Sequence, residues 1–182
     1  MTKTEVIGAD VLDLQIEKIA GGDKSALAVF YRHTCSSVYS YALSILKDRH
    51  DAEDVLQDTF LQVWRSASKY RSMGKPMAWV ITIARNLCLE IIRERQRFSD
   101  EPLEDIAGDI ADEHSLTPED SAILKACMEI LSGDEREAVI LHAVSGLRHR
   151  EIAKILKLPL STVLSRYNRA IKKLKNTLEG EV

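Results

Sequence analysis

Apolar residues recur at steps of three and four along most of this chain, which is the spacing of one face of an α-helix. Runs of β-branched residues bounded by glycine, which would indicate strands, are nearly absent. Acids that can cap a helix stand before two of the periodic runs, at Asp23 and at Asp51. Another run begins at Pro76, in the first helical position that proline favours. The pattern predicts an all-α fold.

The helix predicted after Asp51 has a mixed outward face. This face carries acids and amides together with one apolar residue, Leu61. The segment over residues 70–75, before the helix that begins at Pro76, is too short for a helix and contains Gly74, which indicates a loop. A loop therefore stands directly before a long predicted helix.

The C-terminal part of the chain has the pattern of a helix-turn-helix. Pro159 lacks an amide hydrogen and disfavours the helical region at Leu158, so a first helix ends before it. Ser161 can then cap a second helix with its hydroxyl. One face of that second helix is apolar, which leaves the other face for contact with another molecule. The polar face carries Ser165, Arg166, Asn168, Arg169, Lys172, Lys173 and Lys175.

The sign of the charge distinguishes a DNA-binding helix from a solvated surface helix. From Arg148 to Lys175 the chain has nine Lys and Arg residues and one acid, Glu151, for a net charge of +8. A solvated helix usually mixes its signs, whereas a one-sided positive surface releases counterions from the phosphates of a duplex. A basic helix-turn-helix is therefore typical of a DNA-binding domain.

Charges are segregated along the chain, although its net charge is only −3. Residues 99–121 contain nine acids and no Lys or Arg, which is typical of a solvated linker. We therefore expect two small helical domains, residues 1–97 and 122–182, joined by an acidic linker over residues 98–121. Residues 65–97 form a second basic stretch, with eight basic residues and two acids. Two basic surfaces joined by a tether suggest two separate contacts with one nucleic acid.

Several other kinds of site are disfavoured by the composition. Cys35, Cys88 and Cys127 form no C-x-x-C pair, and the five histidines lack metal-ligand spacing. No apolar run approaches the roughly 20 residues of a membrane span, and the N-terminus lacks a basic-then-apolar signal segment. We expect no cofactor, no metal site and no membrane insertion, and a cytoplasmic protein whose thiols lie in the core.

Three segments together resemble the sigma factors of bacterial RNA polymerase. They are residues 51–64 (DAEDVLQDTFLQVW), residues 79–86 (WVITIARN), and residues 151–153 followed by 161–170 (EIA and STVLSRYNRA). The chain is similar to the extracytoplasmic-function group, which keeps only conserved regions 2 and 4, over about residues 25–97 and 122–177. The resemblance implies a non-enzymatic promoter-specificity subunit that directs transcription of a stress or envelope-signal regulon.

The resemblance also implies roles for residues of the first domain. In similar proteins the helix containing the first segment docks on the clamp helices of the polymerase largest subunit. That assigns core polymerase binding to Asp54, Gln57, Asp58 and Leu61. The loop over residues 70–75 resembles the pocket that captures a base flipped out of the minus-ten element. The minus-ten contacts implied are Tyr70, Arg71, Lys75, Arg85, Asn86, Arg93, Arg95 and Arg97.

For the second domain, the resemblance implies that the second helix of the helix-turn-helix reads the minus-thirty-five element in the major groove. The contacts implied are Ser161, Thr162, Ser165, Arg166, Arg169, Lys172 and Lys173. Leu164 departs from the family, which often has Lys there, and so removes one phosphate or base contact. The partners implied are core RNA polymerase, promoter DNA and an anti-sigma factor.

Two other classes of function stay open from the residues alone. A stand-alone helix-turn-helix regulator, with an N-terminal sensing or dimerising domain, would bind duplex DNA tightly without polymerase. An enzyme acting on nucleic acid has little support, because the sequence has no paired carboxylates with metal spacing, no glycine-rich phosphate loop and no nucleophile near a positioned base.

Overall fold

The computed structural model describes residues 9–72, 74–98 and 118–179. Within these ranges the chain is all-α, as predicted, and has no strand. Its helices are α1 (Ala9–Ala20), α2 (Lys24–Leu46), α3 (Arg49–Ser66), α4 (Pro76–Phe98), α5 (Pro118–Ile130), α6 (Gly133–Val139), α7 (His149–Leu156) and α8 (Leu160–Glu179). A 3₁₀ turn (Ala67–Lys69) follows α3, and a π-helical segment (Ile140–Val144) continues α6. Most of the expected linker lies outside the described residues, and α5 includes its last four positions.

Two of the three predicted helix caps are wrong by a few residues. Asp23 does cap α2, because its carboxylate accepts hydrogen bonds from the amides of the first turn. The cap of α3 is Asp48 instead of Asp51, since the Asp48 carboxylate accepts the Asp51 amide at 3.0 Å. Helix α8 already begins at Leu160, so Ser161 lies in its first turn, and the carbonyl of Pro159 accepts the first amides.

The first helical unit consists of α1 to α4, with α2 at its centre in contact with the other three helices. The apolar stripes predicted from periodicity are buried: Phe30 and Val38 on α2, Val55 and Val63 on α3, and Ala84 on α4. This core holds the loop between α3 and α4 at one end of the unit. None of the helices in the described ranges combines the length and the apolar character that a membrane span requires.

The second unit consists of α5 to α8, and its core includes Leu124, Leu141 and Ile152. The three cysteines are buried and free, as expected. Burial raises the pKa of the Cys88 thiol to about 12 and that of Cys127 to about 11. Because the thiolate is the reactive form, these side chains act as small apolar core residues.

Candidate nucleic-acid interface

A cavity of about 560 Å³ lies beside the loop that precedes α4. The loop lines one side of it, and side chains on successive turns of α4 line another. Six of the eight side chains expected to contact the minus-ten element therefore line one cavity. They are Tyr70, Arg71, Lys75, Arg85, Asn86 and Arg93.

Two aromatic rings form the apolar part of this cavity. The ring centroids of Tyr70 and Trp79 are 4.8 Å apart, with their planes tilted by 49°. Both side chains are half-buried. Trp79, which the periodicity places among the inward residues of α4, thus also lines the cavity. Stacking of a base on an aromatic side chain is worth about 1–3 kcal/mol, so this pair is a suitable platform for an unstacked base.

The remaining two arginines lie outside this cavity. Arg95 forms an ion pair with Asp51 of α3. Arg97 is exposed and lines a second cavity of about 360 Å³ together with Asn86 and Arg93. Arg93 and Arg97 therefore continue the basic surface from the first cavity along α4, although Glu90 and Glu94 line the second cavity with them.

The opposite wall of the first cavity belongs to the second helical unit. It consists of side chains of α7 and of the turn after it, including Glu151, Lys154 and Lys157. The ammonium of Lys75 lies 3.7 Å from the carboxylate of Glu151. The two basic surfaces, which the sequence suggested to be separate sites, are thus adjacent in this structure.

Polar contacts join the two units where α2 meets α6. The hydroxyl of Tyr41 donates to Glu137 at 2.8 Å, and the hydroxyl of Ser37 donates to the carbonyl of Val144 at 3.1 Å. The guanidinium of Arg85 lies 3.7 Å from Glu137. Burial raises the pKa of the Glu137 carboxyl, and the Tyr41 hydrogen bond and the Arg85 charge oppose this only in part. One expected DNA contact, Arg85, therefore faces an acid of the other unit.

Acidification is expected to favour this packed arrangement. The raised pKa of Glu137 means that the packed state binds a proton more tightly than a state with the carboxyl exposed. This stabilisation is fully present below the ordinary pKa and is lost as pH rises through the raised pKa. Fluorophores at Ser68 and Asn176, measured by energy transfer, should therefore move apart as the pH rises from near 4.5, the ordinary pKa of a glutamate, to above the raised pKa of Glu137. Glu137→Gln, which stays neutral, should flatten the profile; an unchanged profile would contradict this assignment.

The helix-turn-helix forms as predicted from α7, a turn and α8. Helix α7 ends at Leu156 and is followed by Lys157, whose φ of 56° is left-handed, and the Leu158 amide donates to the carbonyl of Ala153. Val163 and Ala170 of α8 are fully buried. Of the residues expected to contact the minus-thirty-five element, Thr162 and Arg166 are half-buried. The exposed ones are Ser161, Ser165, Arg169, Lys172 and Lys173.

Acids of α6 lie against the basic side of α8. Arg166 lies 2.7 Å from Asp134, and Lys173 donates to Glu135 at 2.7 Å. Arg169 lies 4.0 Å from the same Glu135. Glu135 also forms a capping box with Ser132 at the start of α6, because its carboxylate accepts the Ser132 amide. The carboxylate also positions α8, and the hydrogen bond from Lys173 lowers the pKa of Glu135.

The outward face of α3 carries the four side chains expected to bind core polymerase. Asp54, Gln57, Asp58 and Leu61 are all exposed, and Leu61 is 51% exposed. Its neighbour Phe60 is buried. In the described part of the chain, no group of three His, Cys, Asp or Glu side chains is placed to hold a metal ion.

Comparison with known proteins gives two family matches, Sigma-70 region 2 over residues 30–98 and Sigma-70 region 4 over residues 121–174. The ECF RNA polymerase sigma factor SigK of Mycobacterium ulcerans is 30% identical over 179 residues, covering 94% of this chain and 96% of that protein. The SigK protein of Mycobacterium sp. (strain KMS) is 33% identical over 175 residues, covering 92% and 90%.

Two solved structures are also similar. The sigma factor RpoE of Bartonella quintana, in complex with the anti-sigma factor NepR, is 31% identical and has a TM-score of 0.64. The match covers 80% of this chain and 92% of that chain. CnrH, in complex with the cytosolic domain of CnrY, is 21% identical with a TM-score of 0.63 and covers 94% and 99%. The likeness to CnrH concerns the fold alone.

Proposed function

Because this chain belongs to the extracytoplasmic-function sigma factors, we propose that its two helical units contact two elements of one promoter while core RNA polymerase holds the first unit. The chain is a promoter-specificity subunit of bacterial RNA polymerase and is not an enzyme. Its place of action is the cytoplasm, with the polymerase. We also propose that the chain divides into domains over residues 1–97 and 122–182. The residues expected from the sequence to contact each promoter element are the proposed contacts.

The observation that carries the proposal is the cavity beside the loop over residues 70–75. Extruding a base from the stack costs a few kcal/mol, so a sigma factor that opens DNA needs a site that binds the extruded base. The rings of Tyr70 and Trp79 offer stacking, and the amide of Asn86 offers both donors and an acceptor. The surrounding arginines match a phosphate backbone in charge.

Asn86→Ala is expected to slow promoter opening about tenfold, which corresponds to about 1.4 kcal/mol and to one lost hydrogen bond. Opening is followed by the fluorescence of 2-aminopurine placed at the flipped position of the minus-ten element, with holoenzyme assembled from purified core. Gln96→Ala, an exposed amide on the same helix, is the matched control and should open at the wild-type rate. Equal rates for Asn86→Ala and Gln96→Ala would remove Asn86 from the site.

Leu164→Lys is expected to strengthen binding of the minus-thirty-five element. Leu164 is 38% exposed on α8, in the turn that also presents Ser161 and Ser165. A lysine there adds one phosphate contact, which steepens the salt dependence of log affinity by about 0.9. Holoenzyme binding to a labelled minus-thirty-five duplex, measured over a series of salt concentrations, gives both quantities. Leu14→Lys, at a 47% exposed leucine of α1, should change neither quantity. An unaltered salt slope for Leu164→Lys would mean that this position of α8 does not face the DNA.

The packed arrangement has to open for both elements to be bound together. The names of the elements place them about 25 base pairs apart, or about 85 Å of duplex at 3.4 Å per base pair. A compact chain of 182 residues has a radius of gyration of only about 16 Å. We propose that polymerase binding separates the units, and that the acidic linker lets them move apart while its charge keeps it off the DNA.

An anti-sigma factor is the proposed inhibitor, by analogy with RpoE, which is bound to NepR in its solved structure. A partner that covers α3 and α8 together would block polymerase and DNA at once. Promoter-dependent transcription with added core enzyme is the decisive test of the function. Failure on every promoter of the host, or tight duplex binding by free protein without core in a gel shift, would favour a stand-alone regulator instead.

A further inference from the structure

We propose that Asp13 of α1 is a positioning residue that holds the loop over residues 70–75 in the shape that receives the flipped base. The proposal rests on the function proposed above for that loop. It adds a residue from outside both matched sigma regions, since the first match begins at residue 30.

Asp13 binds three groups of the loop with one carboxylate. Its Oδ1 accepts a hydrogen bond from the hydroxyl of Tyr70 at 2.5 Å. Its Oδ2 accepts from the hydroxyl of Ser72 at 2.8 Å and from the backbone amide of Gly74 at 3.1 Å. Both oxygens are therefore used, and the bonds reach both ends of the loop.

The carboxylate of Asp13 is buried, with the residue only 7% exposed. Burying a carboxylate is costly unless hydrogen bonds replace its water, and bonds to a charged acceptor are stronger than neutral ones. The neighbouring acids of α1, Asp10 and Glu17, are exposed. The hydrogen bonds from the loop thus compensate for the burial of the Asp13 carboxylate.

Side chains hold the shape of the loop, and the Tyr70–Trp79 ring contact and the Lys75–Glu151 ion pair accompany the bonds to Asp13. Its described residues form no helix or strand, and the backbone bonds at its ends join Tyr70 to Ala67 and Trp79 to Lys75. Gly74 has a φ of 65°, a left-handed conformation that other residues rarely adopt, and its amide points to Asp13. Asp13 therefore fixes the loop before DNA arrives, so that binding of the base does not bear the entropic cost of ordering it.

The hydrogen bond from Tyr70 connects Asp13 to the cavity. With its hydroxyl held by Asp13 and its ring against Trp79, Tyr70 is constrained at both ends. Arg71, next along the loop, lines the same cavity. Loss of the carboxylate would release these groups without removing any atom that touches DNA.

The test measures promoter opening by holoenzymes that carry Asp13→Ala or Asp13→Asn. With 2-aminopurine at the flipped position of the minus-ten element, we expect Asp13→Ala to slow the fluorescence rise about tenfold. Asp13→Asn should fall between Ala and wild type, because its carbonyl oxygen still accepts hydrogen bonds. Affinity for core enzyme and for a minus-thirty-five duplex should stay unchanged. Glu17→Gln, one turn further along α1 and exposed, should open at the wild-type rate.

A second readout separates positioning from a merely structural role. Four promoters that differ only in the base at the flipped position can be compared by their rates of opening. Asp13→Ala should reduce the ratio of the fastest to the slowest rate several-fold. Ser72→Ala removes one bond from the exposed loop side and should reduce it in the same direction, which tests the idea even if Asp13→Ala folds poorly. Wild-type rate and ratio in Asp13→Asn and Ser72→Ala would overturn the proposal. Absence of any signal with wild-type holoenzyme would instead overturn the proposed function of the loop.

Discussion

Arg136→Ala is expected to lower the free energy of unfolding by about 3–5 kcal/mol, because it removes three hydrogen bonds from a buried guanidinium to backbone carbonyls. Arg136 of α6 is only 3% exposed. Its Nε donates to the carbonyl of Cys127 at 3.3 Å, its Nη1 to that of Ser44 at 3.2 Å, and its Nη2 to that of Leu131 at 3.0 Å. The carbonyl of Cys127 still accepts the Leu131 amide in the variant, whereas a buried carbonyl left with no donor costs about 1–3 kcal/mol if water does not replace the guanidinium.

Urea unfolding followed by circular dichroism measures this loss, and two variants define its cause. Arg136→Lys keeps the charge, but its ammonium cannot donate to three carbonyls as the planar guanidinium does. The stability of this variant should therefore lie between that of Arg136→Ala and that of the wild-type protein. Arg148→Ala removes an exposed arginine and should change stability by less than about 0.5 kcal/mol. A loss below about 1 kcal/mol for Arg136→Ala would mean that water enters and replaces the guanidinium.

The bond to Ser44 gives Arg136 a second consequence. Ser44 lies on α2, whereas the other two carbonyls lie on α5 and just after it, so one guanidinium joins the two helical units. Arg136→Ala should therefore also loosen their packing. Energy transfer between the Ser68 and Asn176 labels should fall in native buffer, in addition to the change of stability.

Helical periodicity predicted the elements because it depends only on neighbours in the sequence. The buried stripe through Val55 and Val63 follows from a spacing of three and four residues. This spacing can be read from the sequence without knowledge of any tertiary contact. The caps were harder, because several acids stand near the start of α3 and each could cap it. Lys47 has a left-handed conformation and ends α2, so the next residue, Asp48, is the one that caps α3.

The candidate site was predictable where it is continuous in the chain. A loop followed at once by a helix keeps Tyr70, Lys75 and Asn86 close together, whatever the rest of the fold does. The contact of Asp13 with Ser72 spans 59 positions, and no local pattern marks it. The same holds for α7 as the opposite wall of the cavity, since the acidic linker leaves the relative placement of the units open.

Leu61→Asp is expected to weaken binding to core polymerase about 30-fold or more, which corresponds to a loss of about 2 kcal/mol and is typical of a central interface residue. Leu61 is 51% exposed between the polar side chains of α3. Contact with solvent does not favour an apolar residue there, whereas contact with a partner would. A buried aspartate without a partner at the interface would add a desolvation cost to the lost apolar contact. Because the position is exposed in the free protein, stability should change by less than about 0.5 kcal/mol.

Competition for a limited amount of labelled core measures this affinity without any contribution from promoter DNA. Leu14→Asp makes the same substitution at a 47% exposed leucine of α1 and should compete as the wild-type protein does. Asp58→Asn, beside Leu61, should weaken binding less and mainly at low salt, because charge at the rim of an interface acts chiefly on the association rate. Wild-type competition by Leu61→Asp would show that the polymerase contacts a different face, since no interface centred on Leu61 tolerates a buried unpaired carboxylate at its middle.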